Sequence, residues 1–186
     1  DLVLLNQVHG AKVAVVSAPT GCFGNWGNAD AVVTMTPGLV LAVRVADCVP
    51  ILLTGPGVVG AVHSGWRGTV QGVVEKTVEV MTRLSGCLPG HISAAIGPHI
   101  GAAAYRVGEE VTDGLLSAGL SSNTYRCRED GLYADLGAAV SEQLDRVGVV
   151  RVDVDGRCTA SDPDLYSYRE NGPDTGRQAA LIGLRC

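Results

Sequence analysis

The sequence predicts an α/β fold, a single domain of mixed β-sheets flanked by helices in a layered α/β sandwich. Short β-branched runs bounded by glycine and proline recur along the chain, and this pattern indicates strands. Helical patterns interrupt them, the first beginning after Gly68 with its apolar residues on one face. A crossover helix between apolar strands favours at least one parallel strand pair. Because no linker is long enough to divide the chain, we expect residues 1–186 to form one domain.

Composition narrows the class of protein. The chain has 186 residues, of which 46% are hydrophobic, and this is enough to bury a substantial core. Glycine, proline and charged residues interrupt every apolar run, so neither a membrane span nor a membrane partner is expected. The net charge is −5 and the basic residues are scattered, which argues against nucleic acid as a partner. The oligomeric state cannot be predicted.

Six cysteines without a Cys-x-x-Cys pair predict reduced thiols in a cytoplasmic protein. The chain begins at Asp1 and not at methionine, so we expect an N-terminal segment to precede it.

In the first half of the chain, glycine and proline separate the predicted elements. Gly55-Pro56-Gly57 is typical of a tight connection between two strands, and Pro37-Gly38 suits a type II turn. Residues 17–28, rich in glycine and asparagine, predict an irregular loop. Strands are expected at residues 2–5, 12–16, 30–34, 39–45, 49–54 and 58–62.

The second half alternates between helices and strands. The helix that follows Gly68 is expected to end near Ser85-Gly86. Asp135 is well placed to favour the N-terminal end of a later helix. Helices are further expected at residues 109–118 and 134–147, and strands at residues 91–96, 149–154, 166–169 and 178–184.

Three potential metal ligands lie at the ends of predicted strands. Cys48 closes one strand, His63 closes the next, and His9 follows an apolar run and precedes a glycine. Three protein ligands with one open position are the arrangement of a catalytic zinc site, and mixed thiolate and imidazole ligation suits zinc. Taken singly, each residue is better explained as part of the core, but the three together predict a metal site.

Copper is the weaker alternative as the metal. A multicopper oxidase needs about eight imidazoles for its trinuclear cluster, whereas this chain has four histidines in all. A single His-His-Cys copper would need an axial methionine, but Met35 and Met81 lie beside a turn and in a helix core.

Four residues near these ligands are candidates for catalysis or substrate binding. Asp47 is a candidate to orient a ligand histidine. Arg44 is costly to bury unless an acid or an anionic ligand pairs with it. Arg67 lies at a helix start, where anions bind, although stacking on Trp66 explains it equally well. His99 is a further candidate to line the site.

A second basic group lies near the C-terminus. It consists of Tyr168, Arg169 and Arg177, for which a solvated turn is the preferred explanation.

Several separated motifs, in order along nearly the whole chain, carry a family resemblance: QVHG, DAVVT, PGLVLAVRVADCVPILL, VVGAVHSGWRG and YSYRENGPDTGRQA. They resemble the family once labelled laccase-domain or polyphenol oxidase proteins, whose members are now described as purine nucleoside phosphorylases that can also deaminate adenosine. The resemblance implies a cytoplasmic zinc enzyme acting on purine nucleosides and phosphate, with His9, Cys48 and His63 as ligands. Two departures are an absent N-terminal segment containing an arginine and paired glycines, and His99 in place of a cysteine.

Two other functions stay open. In a cysteine hydrolase, Cys48 would be the nucleophile and His63 or His9 the base. In a binding or redox-scaffold protein, a purine would bind without turnover.

Overall fold

Three β-sheets and five α-helices make up the part of the chain that the computed structural model describes, residues 1–18 and 24–185, the side chains of residues 24 and 25 excepted. The strands are β1 (Leu2–Asn6), β2 (Val13–Val15), β3 (Gly24–Asn28), β4 (Ala31–Thr34), β5 (Val40–Val45), β6 (Val49–Gly55), β7 (Val58–Ser64), β8 (Ser93–Ile96), β9 (Arg106–Val107), β10 (Tyr125–Arg128), β11 (Gly131–Ala134), β12 (Arg151–Val154) and β13 (Gln178–Gly183). The helices are α1 (Trp66–Val70), α2 (Val73–Ser85), α3 (Glu109–Ser117), α4 (Leu136–Arg146) and α5 (Tyr168–Asn171).

The sheets contain six, four and three strands, in the orders β12-β8-β6-β7-β4-β2, β13-β5-β1-β3 and β10-β11-β9. Both larger sheets combine parallel and antiparallel pairs, so the predicted mixed sheets are confirmed. Strands β7 and β8 both run antiparallel to β6. The helical segment between them therefore connects two strands that run in the same direction.

The six-stranded sheet is covered on both faces. Along β7, Val58 and Val62 pack into the core that holds residues of α2 and α4, whereas Val59 and Ala61 pack against the four-stranded sheet. Every residue of β7 is buried for this reason. The result is three layers, four-stranded sheet, six-stranded sheet and helices, which confirms the α/β class. That residues 1–186 make up one domain stays a prediction.

The helical pattern after Gly68 divides into two helices. Gly72 has a φ of 73°, in the left-handed region, and this residue separates α1 from α2. The predicted end of the longer helix is confirmed, because Gly86 has a φ of 71° and its N–H bonds to the carbonyl of Thr82. The break at Gly72 leaves α1 as a separate short helix. This helix directly follows β7 and lies beside the predicted ligands.

Two predictions at the ends of the chain were wrong. Residues 166–169 were expected in a strand, but Tyr168–Asn171 is a short helix because the Ser167 side chain accepts a hydrogen bond from the N–H of Glu170 and caps it. Residues 17–28 were expected in a loop, but Gly24–Asn28 is a strand parallel to β1. The rest of that predicted loop lies largely outside the described residues.

The small three-stranded sheet was not predicted. Strand β10, with the sequence YRCR, is largely exposed, so it lacks the alternation of apolar and polar residues that indicates a strand. Strand β11 takes up Ala134, which was expected to begin a helix. The helix begins at Leu136, and Asp135 caps it by accepting the N–H of Ala138.

Two further observations bear on the class of protein. Among the described residues, no helix is both long enough and apolar enough to cross a membrane. Four of the cysteines within the described ranges are free: Cys48, Cys87, Cys127 and Cys158.

Candidate metal centre and its cavity

His9 lies in the loop after β1, and a buried carboxylate holds that loop in place. The backbone N–H groups of Val8, His9 and Gly10 all donate to the carboxylate of Asp30, at distances of 2.7 to 3.3 Å. Asp30 directly precedes β4 and is fully buried. His9 has a φ of 59°, which is unusual for a residue other than glycine. The three donated hydrogen bonds stabilise this conformation and present the imidazole at the surface.

Cys48 and His63 lie at the same end of the hairpin formed by β6 and β7. Cys48 directly precedes β6, and His63 pairs with Pro50 in the second-last position of β7. The His63 Nδ1 lies 2.9 Å from an oxygen of Asp30, so the same carboxylate that holds the His9 loop also orients His63. With Nδ1 occupied in this way, Nε2 is the nitrogen left to bind a metal.

The three predicted ligands converge. The ligand atoms of His9, Cys48 and His63 all lie within 4.8 Å of one another. The two imidazole rings meet edge to face, with their centroids 4.8 Å apart. A Cβ at Gly65 would lie 3.0 Å from Cδ2 of His9 and 3.1 Å from Sγ of Cys48, so a side chain there would crowd two of the donors.

This donor set fits zinc. It offers one thiolate and two imidazoles, and a buried carboxylate lies behind one imidazole, as is usual for metal-binding histidines. His63 is buried and Cys48 half-buried, whereas His9 is exposed. The site therefore closes on the protein side and opens toward the cavity.

Charge coupling within the cluster favours an ionised thiol. Burial opposes the thiolate, but hydrogen bonds and positive charge from His63 and His9 outweigh it and lower the pKa of Cys48 to about 7. Burial also disfavours the imidazolium of His63, yet its contacts with Asp30 and Cys48 raise its pKa to about 9. Burial would raise the pKa of Asp30, but hydrogen bonds from His63, Gly10 and His9 bring it below its ordinary value.

Asp47 takes a different position from the one predicted, because the carboxylate that orients His63 is Asp30. Asp47 has a φ of 89°, and its two carboxylate oxygens accept hydrogen bonds from the Thr159 hydroxyl and the Arg169 N–H, each at 2.7 Å. It ties the Cys48 loop to two distant segments. Its predicted catalytic role stays a prediction.

A cavity of about 840 Å³ opens beside the three ligands. Asp47 is the acidic residue in the part of its wall that the structure describes, and its carboxylate is already hydrogen-bonded. The described residues supply four arginines to this wall, and none of these arginines makes an ion pair with another described residue: Arg44, Arg67, Arg169 and Arg177. The cavity is therefore suited to an anion.

Both arginines predicted to bind substrate line the cavity. Arg44 is exposed, and its backbone N–H and carbonyl both bond to the side-chain amide of Gln7, which holds the end of β5 beside the His9 loop. Arg67 lies over the ring of Trp66, with its guanidinium carbon 4.5 Å from the ring centroid. Both explanations left open for Arg67 are therefore compatible, since it stacks on Trp66 and also lies in the cavity wall.

The C-terminal basic group, for which a solvated turn was preferred, also reaches the cavity. The guanidinium groups of Arg169 and Arg177 donate to backbone carbonyls, those of Arg106 and of Thr175 and Gly176 respectively. Such contacts position each cation without neutralising its charge. The adjacent Tyr168 lies in the same wall.

His99 lies outside the lining of this cavity. It is buried, and its Nδ1 is 2.9 Å from the carbonyl oxygen of Gly97. Its predicted role in substrate binding stays a prediction, and the function proposed below does not depend on it.

Asp30 and Tyr105 belong to the site but were not among the predicted site residues. Asp30 had one available signal, an acidic residue directly before the apolar run AVVT, where it must be buried with a partner. No sequence signal marked Tyr105 as a site residue, because it lies in a loop of small residues far along the chain from the predicted ligands.

Residues 1–185 match the family described as multi-copper polyphenol oxidoreductase laccase. A purine nucleoside phosphorylase of Deinococcus radiodurans is 45% identical over 186 residues, which cover 99% of this chain and 70% of the relative. A purine nucleoside phosphorylase of Mycobacterium tuberculosis is 40% identical over 98% of this chain and 72% of its own length.

Solved structures share the fold. The crystal structure of YlmD from Geobacillus stearothermophilus aligns with a TM-score of 0.91 and 34% identity, covering 99% of this chain and 73% of that one. The hypothetical protein YfiH of Bacillus licheniformis aligns with a TM-score of 0.90 and 28% identity, covering 99% and 74%.

We predict that Asp30→Asn destabilises the protein strongly. The substitution keeps the size of the side chain but removes the buried anion that binds three backbone N–H groups and His63. Breaking a buried ion pair costs about 3–5 kcal/mol, and urea unfolding of the metal-free protein would measure this loss.

The control for this prediction is Asp155→Asn. Asp155 pairs with Arg157 at the surface, so its loss should change the free energy of unfolding little. Equal stability of the Asp30→Asn variant and the parent would contradict the role assigned to Asp30.

Proposed function

This chain belongs to the family described as multi-copper polyphenol oxidoreductase laccase, and on this premise we propose that it is a zinc-dependent purine nucleoside phosphorylase. It would convert adenosine or inosine and phosphate to the free base and ribose 1-phosphate. One observation carries the proposal. The cluster of His9, Cys48 and His63 opens into a cavity whose four arginines lack acidic partners among the described residues.

The cavity wall supports binding of phosphate. A doubly charged anion is bound best by several guanidinium groups that have no competing carboxylate. Arg67 and Arg44 are our first candidates for this contact, and Arg169 is a third because its main chain and its guanidinium are both anchored. Attack by phosphate on the anomeric carbon breaks the bond to the base, so the arginines must hold the anion close to the ribose.

The donor set supports zinc as the cofactor. A zinc ion held by His9, Cys48 and His63 would supply a Lewis acid with an open coordination position, which suits either orientation of phosphate or activation of water. Asp30 would keep the His63 ring in the tautomer that binds through Nε2.

Adenosine deamination is the second reaction that we propose for this site. The same open coordination position on zinc would hold the attacking water. Attack of this water at purine C6 needs no phosphate. A single assay separates the two reactions, since deamination gives inosine from adenosine in phosphate-free buffer, whereas phosphorolysis gives adenine only when phosphate is added.

Copper-dependent oxidation of phenols is not favoured, although the family description contains the word copper. The chain has four histidines, and two of them, His91 and His99, lie outside the His-Cys-His group. A trinuclear copper cluster needs about eight imidazoles. The described residues therefore offer a site for one metal ion.

A cysteine hydrolase is the other enzymatic alternative. The lowered pKa of Cys48 beside two histidines also suits a nucleophilic thiol. The position of His9 favours a metal site over a hydrolase. A hydrolase needs only one histidine as a base beside Cys48, whereas here a second histidine, His9, is also held in the cluster by its own loop contacts.

We also propose a cytoplasmic location. The free cysteines support it, since exported proteins of this size more often pair theirs.

We predict that the purified protein, supplied with zinc, releases hypoxanthine and ribose 1-phosphate from inosine and phosphate. Cys48→Ser should lower kcat/KM by at least about 100-fold, because a weaker metal ligand replaces the thiolate. Chromatography of the products, together with metal analysis of the same samples, would measure both effects.

The matched control is Cys127→Ser, which changes an exposed thiol of β10 and should behave as the parent. Intact nucleosides with the parent protein would refute the proposal. So would a Cys48→Ser variant as active as the parent.

We predict that zinc protects Cys48 from iodoacetamide. A thiolate bound to the metal is shielded, so mass spectrometry should find Cys48 unmodified in the zinc-loaded protein and alkylated after treatment with a chelator. Exposed Cys127 should react in both samples and reports on reagent activity. Rapid alkylation of Cys48 at saturating zinc would favour the hydrolase.

We predict that Arg67→Ala raises the KM for phosphate more than the KM for inosine. A charge-assisted hydrogen bond contributes about 1.5–3 kcal/mol, so the KM for phosphate should rise by roughly 10- to 100-fold. Steady-state kinetics with each substrate varied would show this. Arg126→Ala, on exposed β10 and outside the cavity wall, is the control and should leave both constants unchanged.

A further inference from the structure

Tyr105, together with Trp66 and Arg169, lines both the main cavity and a second one of about 400 Å³. Its backbone is fully bonded, because its N–H donates to the carbonyl of Gly101 and its own carbonyl accepts the N–H of Ala134. Its hydroxyl forms no hydrogen bond with any described residue. A half-buried hydroxyl in a cavity wall with no protein partner is available to a ligand.

The ring of Tyr105 is held in place by Arg169. The guanidinium carbon of Arg169 lies 5.2 Å from the ring centroid. Arg169 is itself anchored at both ends, by Asp47 at its main chain and by the carbonyl of Arg106 at its guanidinium. A phenol packed against a fixed cation is preorganised, so a hydrogen bond from it needs little reordering.

The reaction proposed above needs such a donor. When the bond between the anomeric carbon and the base breaks, its electron pair moves to the purine, which leaves as an anion unless a proton or a strong hydrogen bond reaches one of its nitrogens. The histidines, the cysteine and the aspartate of the wall already have other roles. His63 bonds to Asp30, His9 and Cys48 are the remaining metal donors, and the carboxylate of Asp47 accepts two hydrogen bonds.

Tyr105 carries its proton at neutral pH. Burial raises the pKa of its phenol to about 12, so the hydroxyl stays protonated. The other tyrosine of the wall, Tyr168, is 52% exposed, so its hydroxyl is solvated by water.

We propose that the hydroxyl of Tyr105 donates a hydrogen bond to the departing purine base and stabilises the negative charge that collects there. This inference rests on the proposed phosphorylase function. Overall, a bond from phosphate oxygen to the anomeric carbon forms and the bond from that carbon to the base breaks. Hydrogen phosphate loses one proton as it becomes the ester and the base gains one, so no other reactant is needed.

The test compares two nucleosides that differ in the charge of the leaving base. With inosine and phosphate, Tyr105→Phe should lower kcat by about 100-fold and leave KM largely unchanged. With 7-methylinosine, whose base departs without receiving a proton, the variant should keep at least about a third of the parent's kcat. The substitution removes one oxygen that has no hydrogen-bond partner among the described residues, so the fold should be unaffected.

Tyr125→Phe is the matched control, because Tyr125 lies on β10 outside both cavities. Equal losses of kcat on both nucleosides would mean that Tyr105 only shapes the cavity, and no loss on either would mean that its hydroxyl is not used. Either result overturns the inference while turnover by the parent upholds the proposed function. A parent that cleaves neither nucleoside overturns both.

Discussion

The arrangement of the His9, Cys48 and His63 side chains depends on the buried carboxylate of Asp30. It accepts three backbone N–H groups from the loop that carries His9, and it lies 2.9 Å from the imidazole of His63. A charge removed from water is tolerated only when its oxygens are fully hydrogen-bonded, and these contacts meet that need. One anion therefore sets both the backbone conformation at His9 and the ring orientation of His63.

The scaffold and the cavity wall have different physical properties. His63 belongs to β7, which is buried between the four-stranded sheet and the helical layer, so it cannot shift without disturbing the core. The arginines lie at the exposed rim, where carbonyl groups or an aromatic ring hold them and no described acid neutralises them. A rigidly held His-Cys-His cluster thus faces a wall of uncompensated positive charge. This arrangement suits the proposed pair of substrates, a neutral nucleoside and a separate phosphate anion.

Much of this site could be predicted from local patterns. The β6–β7 hairpin follows from Gly55-Pro56-Gly57 between two β-branched runs, and the convergence of Cys48 and His63 follows from the hairpin. The end of α2 at Gly86 follows from a common helix stop signal.

Contacts between distant residues account for most of what could not be predicted. Asp30 and His63 are 33 positions apart, and no local pattern pairs them. The segment at residues 166–169 looked extended because it is aromatic, but the Ser167 cap outweighs that preference and begins α5. Strand β10 pairs along its length with β11 while exposing most of its side chains, so neither periodicity nor composition marked it.

Asp47 joins segments that are 112 and 122 residues away from it in the chain. Contacts at such long separations order a long stretch of chain, and topologies rich in them fold more slowly than those built from local contacts. The β6–β7 hairpin, in contrast, brings Cys48 beside His63 by pairing residues that are close together in the sequence. The part of the cavity wall that α5 supplies therefore depends on long-range contacts of Asp47, whereas the pairing of Cys48 with His63 depends on a local hairpin. Local opening at Asp47 would free Arg169 from the wall while the Cys48–His63 pair stays assembled.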